Sequence, residues 1–122
     1  MDERFTQRSR LADAASYSRV FKKAQRSRDK MFTVLYRKNE EHETRLGLAI
    51  AKKHCRLATD RNRLKRIVRE SFRHHKETLA GLDIVVLNRP EATQADNELL
   101  FNCLEKHWQR CRNTAVGEVG KN

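Results

Sequence analysis

The sequence predicts one two-layer domain in which helices interleave with a small sheet, α/β or α+β in class. Three observations carry that expectation. Met31–Tyr36 and Leu82–Leu87 are rich in β-branched, aromatic and aliphatic residues, lack glycine and proline, and read as strands. Other segments repeat apolar residues at three- and four-residue spacing and read as amphipathic helices. At 122 residues and 38% hydrophobic, the chain can bury one modest core and is too apolar for a disordered basic tail.

In chain order, residues 1–13 are polar and charged and are expected to form a flexible basic arm. A short helix is expected from about Ala14 to Ala24, with Asp13 or Ser16 available as its cap. Its spacing puts Tyr17, Val20 and Phe21 on one face. That face either packs on the core or offers an aromatic ring for stacking on a base. Gln25–Lys30 reads as a loop or short edge strand. Met31–Tyr36 and Arg45–Ala51 read as strands that pair as a hairpin across the charged segment Arg37–Thr44.

A basic helix follows, capped by Thr59 or Asp60, reaching about Leu79 and ending near Gly81. Leu64, Ile67, Val68, Ser71, Phe72 and Leu79 share its apolar stripe. Leu82–Leu87 is the most strand-like run of all. After Pro90, Thr93 and Asp96 resemble a capping box. The last helix is expected over about Gln94–Arg112, with Leu99, Leu100, Cys103, Leu104 and Trp108 inward. Residues 114–122 show no periodicity and are expected to be a disordered tail, which leaves 14–113 as a single domain. There is no internal repeat.

Charge narrows the function. The chain carries 27 Lys and Arg against 16 Asp and Glu, a formal +11, which implies a polyanionic partner. The excess concentrates in Lys52–Lys76, with ten Lys or Arg and two acids, Asp60 and Glu70. Around a helix, Asn62, Lys65, Arg66, Arg69, Arg73 and Lys76 gather on one flank. A merely solvated face mixes signs, whereas this one repels itself until a polyanion arrives. Five arginines between 61 and 73 favour bidentate phosphate contacts. Nucleic acid is therefore favoured over an anionic membrane surface. No apolar run approaches the ~18 residues of a membrane span, and the polar start MDERFTQRSR lacks a secretory core. Three cysteines without a CxxC pair argue against a disulfide framework and fit a reducing cytoplasm.

Catalytic chemistry is not legible. Cys103, His107 and Cys111 lie at i, i+4, i+8 and could hold zinc, but no fourth ligand is evident. The same positions lie in the apolar arc of the last helix, where cysteine serves as a small hydrophobe. His74-His75 has no metal spacing and is expected at the surface. Nucleophile elbows, phosphate-cradling glycine loops and clustered carboxylates are all missing.

Arg61-Asn-Arg-Leu-Lys-Arg66, followed by Arg69-Glu-Ser-Phe-Arg73, resembles the RNR box, KR and RE-x-FR of the protein component of bacterial ribonuclease P. Leu46-Gly-Leu48, Ala51-Lys-Lys53, Asp83-Ile-Val-Val86 and the pair Tyr17 and Phe21 fit the same family, over roughly residues 14–112. The resemblance implies an α+β two-layer sandwich of order αβββαβα, similar to the second domain of ribosomal protein S5. It also implies a left-handed crossover, against the general rule, and a fourth strand that only Gln25–Lys30 could supply. It implies a subunit of an endonucleolytic ribonucleoprotein that removes the 5′ leader from precursor tRNA. The RNA subunit is then the catalyst with bound Mg²⁺, and the polypeptide has neither catalytic centre nor metal of its own. Ribonuclease P RNA and precursor tRNA are the implied partners, in a 1:1 complex with monomeric protein.

Carried onto this sequence, Arg61, Asn62, Arg63, Lys65, Arg66, Arg69 and Arg73 contact the catalytic RNA, with Lys52 and Lys53 on the same basic edge. Tyr17 and Phe21, with Phe32 or Tyr36, are candidates for the leader groove between the sheet and the first helix. The alternative is a general RNA-binding or ribosomal-type protein, which shares the charge but does not account for the joint register of these motifs.

Overall fold

A computed structural model of the chain describes residue 22 and residues 24–39 and 43–121, with side chains to residue 114. Four strands form one sheet: β1 Gln25–Arg28, β2 Phe32–Lys38, β3 Arg45–Ala49 and β4 Leu82–Asn88. Helix α1 spans Ala58–Arg73 and helix α2 spans Asn97–Lys121, with short 3-10 turns at Lys52–His54 and Pro90–Gln94. The class is α+β. The amino-terminal arm and nearly all of the expected first helix lie outside the described residues.

The strand order is β1-β2-β4-β3, with β1/β2 and β2/β4 antiparallel and β3/β4 parallel. This overturns the expected hairpin between Met31–Tyr36 and Arg45–Ala51. Strand β4 lies between them, because its run Leu-Asp-Ile-Val-Val is buried on both sides and needs two neighbours. A parallel β3/β4 pair requires a long crossover, and α1 is that crossover.

The hairpin that does form joins β1 to β2. Asp29 closes it, its Oδ1 accepting from the backbone N–H of Met31 at 2.8 Å and of Phe32 at 2.9 Å. Strand β1, Gln-Arg-Ser-Arg, is the fourth strand that Gln25–Lys30 had room for.

Both helices cover one face of the sheet. Phe32, Val34, Tyr36, Leu46, Leu82, Ile84 and Val86 meet Leu64, Ile67, Val68 and Phe72 of α1 and Leu100, Leu104, Trp108 and Cys111 of α2 in one core. Trp108 and Phe72 meet edge to face, with ring centroids 6.0 Å apart. The Trp108 indole N–H donates to Ser71 Oγ at 2.8 Å, which explains a serine inside the apolar stripe of α1.

The helix ends differ from expectation. Helix α1 starts at Ala58 after Leu57, with no side-chain cap from Thr59 or Asp60. It ends at Arg73, and turns over 74–80 bring Leu79 into the core before Gly81 reverses the chain at φ 83°. The capping box dissolves into two roles. Asp96 Oδ1 accepts from the Leu99 N–H at 2.8 Å, while Thr93 Oγ1 donates to the His54 carbonyl at 3.0 Å. Leu99, expected inward, sits about 100° around α2 from Leu100, away from Leu104 and Cys111, and is 44% exposed, whereas His107 and Cys111 face inward. The helix continues to Lys121, past the expected end at Arg112.

His107 belongs to a polar tie, and no group of three or more His, Cys, Asp or Glu that could hold a metal ion occurs among the described residues. Its Nδ1 lies 2.7 Å from Ser27 Oγ, and its Nε2 lies 2.9 Å from Asp29 Oδ2, off the axis of a straight hydrogen bond. Both nitrogens thus face β1 and its turn. Burial pushes the Cys111 thiol up to about 12, and burial with Asp29 raises that of Cys103. The constellation Ser27, His107, Asp29 has the order of a hydrolytic triad, yet Ser27 and His107 are buried and offer a substrate no access.

Burial alone would raise the Asp29 carboxyl, but His107 and the Phe32 and Met31 N–H groups outweigh it and hold it at about 2. A depressed carboxyl stabilises the fold fully above its ordinary value of 3.8, and that contribution is lost as pH falls through about 2. Discounted for the solvent that still reaches it, it is on the order of 1 kcal/mol. Urea unfolding of wild type and Asp29→Asn should therefore give a stability gap that narrows as pH falls from about 4 to about 2.

Candidate nucleic-acid interface

The basic surface begins where β3 leaves the sheet. The Asn88 side chain at the end of β4 accepts from the Ala51 N–H at 2.6 Å and donates to the Ala51 carbonyl at 3.2 Å. This clasp fixes the segment that exposes Lys52 and Lys53. Helix α1 then starts with arginines at its positive end, which the helix dipole disfavours. Carbonyl partners compensate. Arg61 Nη1 donates to the carbonyls of Cys55 at 2.9 Å and Arg56 at 2.7 Å. Arg63 reaches across to the start of α2, donating to Asn97 Oδ1 at 3.0 Å and to the carbonyls of Thr93 and Ala95.

At the other end of α1, Arg73 grips Glu70 bidentately at 2.9 and 2.7 Å, and His74 Nε2 lies 3.3 Å from the same carboxylate. The Arg73 hydrogen bonds hold Glu70 below the usual carboxylate range. Between these ties lie Asn62 and Arg66, exposed, and Lys65 and Arg69, half-buried. None of these four side chains, nor Lys52 or Lys53, has a hydrogen-bond or ion-pair partner among the described residues. The predicted RNA-contact residues thus fall into two sets. Arg61, Arg63 and Arg73 brace the structure, each with donors to spare. Lys52, Lys53, Asn62, Lys65, Arg66 and Arg69 remain available to a ligand.

The aromatic candidates fare differently. Tyr17 and Phe21 lie outside the described residues. Phe32 and Tyr36 are 0% and 5% exposed in the core beneath α1 and α2, so neither is free to stack on a base. This corrects their assignment to the leader groove. Strand alternation gives the physical reason, since Phe32, Val34 and Tyr36 share one face while Thr33, Leu35 and Arg37 take the other. On that opposite face Leu35 and Val85 form a second, small cluster with Ala24, Ala49 and Leu87.

Arg45 is also on that face, donating to both Asp83 oxygens at 2.9 and 3.1 Å, and Asn39 donates to the same carboxylate at 2.9 Å. This row of Arg37, Asp83 and Arg45 was missed from sequence. Its signal was the parity of β2: once Val34 points inward, Arg37 cannot.

Replacing a brace and replacing a free cation should have opposite signatures. Arg63→Ala should lower stability in urea by about 1–3 kcal/mol, because it leaves the acceptors at the start of α2 unpaired. Arg66→Ala should change it by less than about 0.5 kcal/mol.

The comparisons with known proteins agree with this geometry. The family model Ribonuclease P matches residues 5–112. The ribonuclease P protein component of Nitrosococcus oceani is 45% identical over 104 residues, covering 85% of this chain and 87% of that one. That of Thioalkalivibrio sulfidiphilus is 44% identical over 110 residues, covering 90% and 92%. Among solved structures, the RNase P protein of Staphylococcus aureus superposes with a TM-score of 0.75 at 32% identity, covering 80% of this chain and 90% of that one. That of Thermotoga maritima gives 0.71 at 32%, covering 89% and 97%. The chain therefore belongs to the ribonuclease P protein family.

Proposed function

We propose that this chain is the protein subunit of a ribonuclease P ribonucleoprotein that trims the 5′ leader of precursor tRNA in the cytoplasm. The observation that carries the reading is the row of cations on α1, Lys65, Arg66 and Arg69, unpartnered among the described residues, with Lys52 and Lys53 beside it. These residues bind the phosphate backbone of the catalytic RNA. The leader lies on the sheet face opposite the helices, where Arg37 and Arg45 supply positive charge and Thr33 a hydroxyl. Hydrolysis belongs to the RNA and its Mg²⁺.

The protein's part is electrostatic. Ribozyme and precursor are both polyanions, and their approach is opposed by charge. A chain of +11 between them offsets that repulsion. Its effect is largest where Mg²⁺ is scarce and screening weak.

The test is 5′ cleavage of a precursor tRNA at low millimolar Mg²⁺ by the cognate RNA, with and without the protein. Large stimulation that disappears when the RNA is left out is expected. No stimulation, with RNA binding intact, would replace this reading with a general RNA-binding role. In the same system, Lys65→Ala, Arg66→Ala and Arg69→Ala together should flatten the dependence of log affinity for the ribozyme on log salt. The expected change is about 0.7–0.9 per lost contact, and an unchanged slope would mean that these side chains face only solvent.

A further inference from the structure

A second cationic surface lies at the far edge of the sheet from β3, and α1 takes no part in it. Arg26 and Arg28 flank Ser27 on edge strand β1, Lys30 sits in the turn beyond, and Lys106 and Arg110 lie one turn apart on α2. All five are exposed. Helix α2 packs over β1 and β2, and Arg110 Nη1 donates to Ser27 Oγ at 3.3 Å, which brings the two groups of cations to one edge.

Among the described residues, the two acids that neighbour these cations in the chain are already engaged. Asp29 faces His107 and accepts from two backbone N–H groups, and Glu105, next to Lys106 in the chain, pairs with His75. The side chains of Arg26, Arg28, Lys30 and Lys106 have no hydrogen-bond or ion-pair partner among the described residues.

The edge joins two faces. Ser27 points to α2, so Arg26 and Arg28 stand on the opposite side, level with Leu35 and Thr33 in the register. Cations therefore continue from the sheet face opposite the helices, around β1, onto the outer flank of α2. A flexible single strand leaving that face at the β1 edge meets positive charge along that path. No exposed aromatic lies among these residues, so the surface fits a phosphate backbone without preference for base. Arg110 is pre-oriented, since Ser27 holds it and His107 in turn holds Ser27.

We propose that the β1 edge and the adjoining flank of α2 bind the distal part of the precursor's 5′ leader through its phosphates, using Arg26, Arg28, Lys30, Lys106 and Arg110. The proposal rests on the reading that the leader lies on the sheet face opposite the helices.

The experiment uses the reconstituted holoenzyme with Arg28→Gln, Lys30→Gln and Lys106→Gln combined, three exposed side chains that brace nothing. Binding is measured across a salt series for precursors with leaders of about 4 and about 16 nucleotides and for mature tRNA. With the long leader, the salt slope should fall by about 2, from three phosphate contacts at ~0.7 each. The short leader and mature tRNA should bind as they do to wild type, with an unchanged melting temperature. No change with the long leader would overturn the proposal. Equal losses for all three ligands would also overturn it, and would assign these cations to the catalytic RNA. Failure of the underlying reading shows separately, as no stimulation of cleavage by the wild-type protein on either precursor.

Discussion

Burial of one stripe of α1 sets the position of every cation the helix carries. Leu64, Ile67, Val68, Ser71 and Phe72 must face the sheet and α2, and the indole N–H of Trp108 finds its acceptor only when Ser71 is turned toward it. An apolar stripe alone tolerates some rotation of a helix about its axis. A hydrogen bond of 2.8 Å between two buried side chains does not. With the phase of α1 fixed, Asn62, Arg66 and Arg69 project from the other side. The cationic row is thus a consequence of core packing, and core substitutions at Phe72 or Trp108 act on the interface without touching it.

The same arrangement sorts charges that look alike in sequence. Arg61 and Arg63 differ from Arg66 in where their neighbours end. At the start of α1, the carbonyls of Cys55 and Arg56 on one side and of Thr93 and Ala95 on the other lack partners within regular structure, and a guanidinium can satisfy several at once. Lysine could not reproduce that fork. One turn further on, the helix satisfies its own backbone and arginine is released to solvent. An arginine-rich box therefore contains both the scaffold and the surface it presents.

Much of this was legible from periodicity. The stripe of α1, the cationic flank and the strand character of β4 follow from spacing and side-chain type. What was not legible has local causes. Strand β1 contains no apolar residue, and it exists because Asp29 closes its turn and His107 holds Ser27. The pairing of β3 depends on β4, thirty-three residues beyond its end, and nothing near β3 announces it. Phe32 and Tyr36 suggest base stacking by residue type, but their alternation with Thr33 and Arg37 puts them on the core face. Leu99 reads as inward by its apolar type, but at about 100° per residue it falls well away from the arc of Leu100, Leu104 and Cys111, and it is 44% exposed.

The acids complete the electrostatic logic. Asp83 lies under Arg45 and Asn39, Asp29 against His107, Glu70 beneath Arg73, Glu105 against His75, and Asp96 at the start of α2. Asp83, Asp29 and Glu105 each tie two elements together, Asp96 starts α2, and Glu70 pairs within α1. The chain as a whole keeps a formal charge of +11. That has a cost, since a compact chain of +11 repels itself. A polyanion that bound the folded arrangement of cations more tightly than the unfolded chain would offset the repulsion, linking binding to folding.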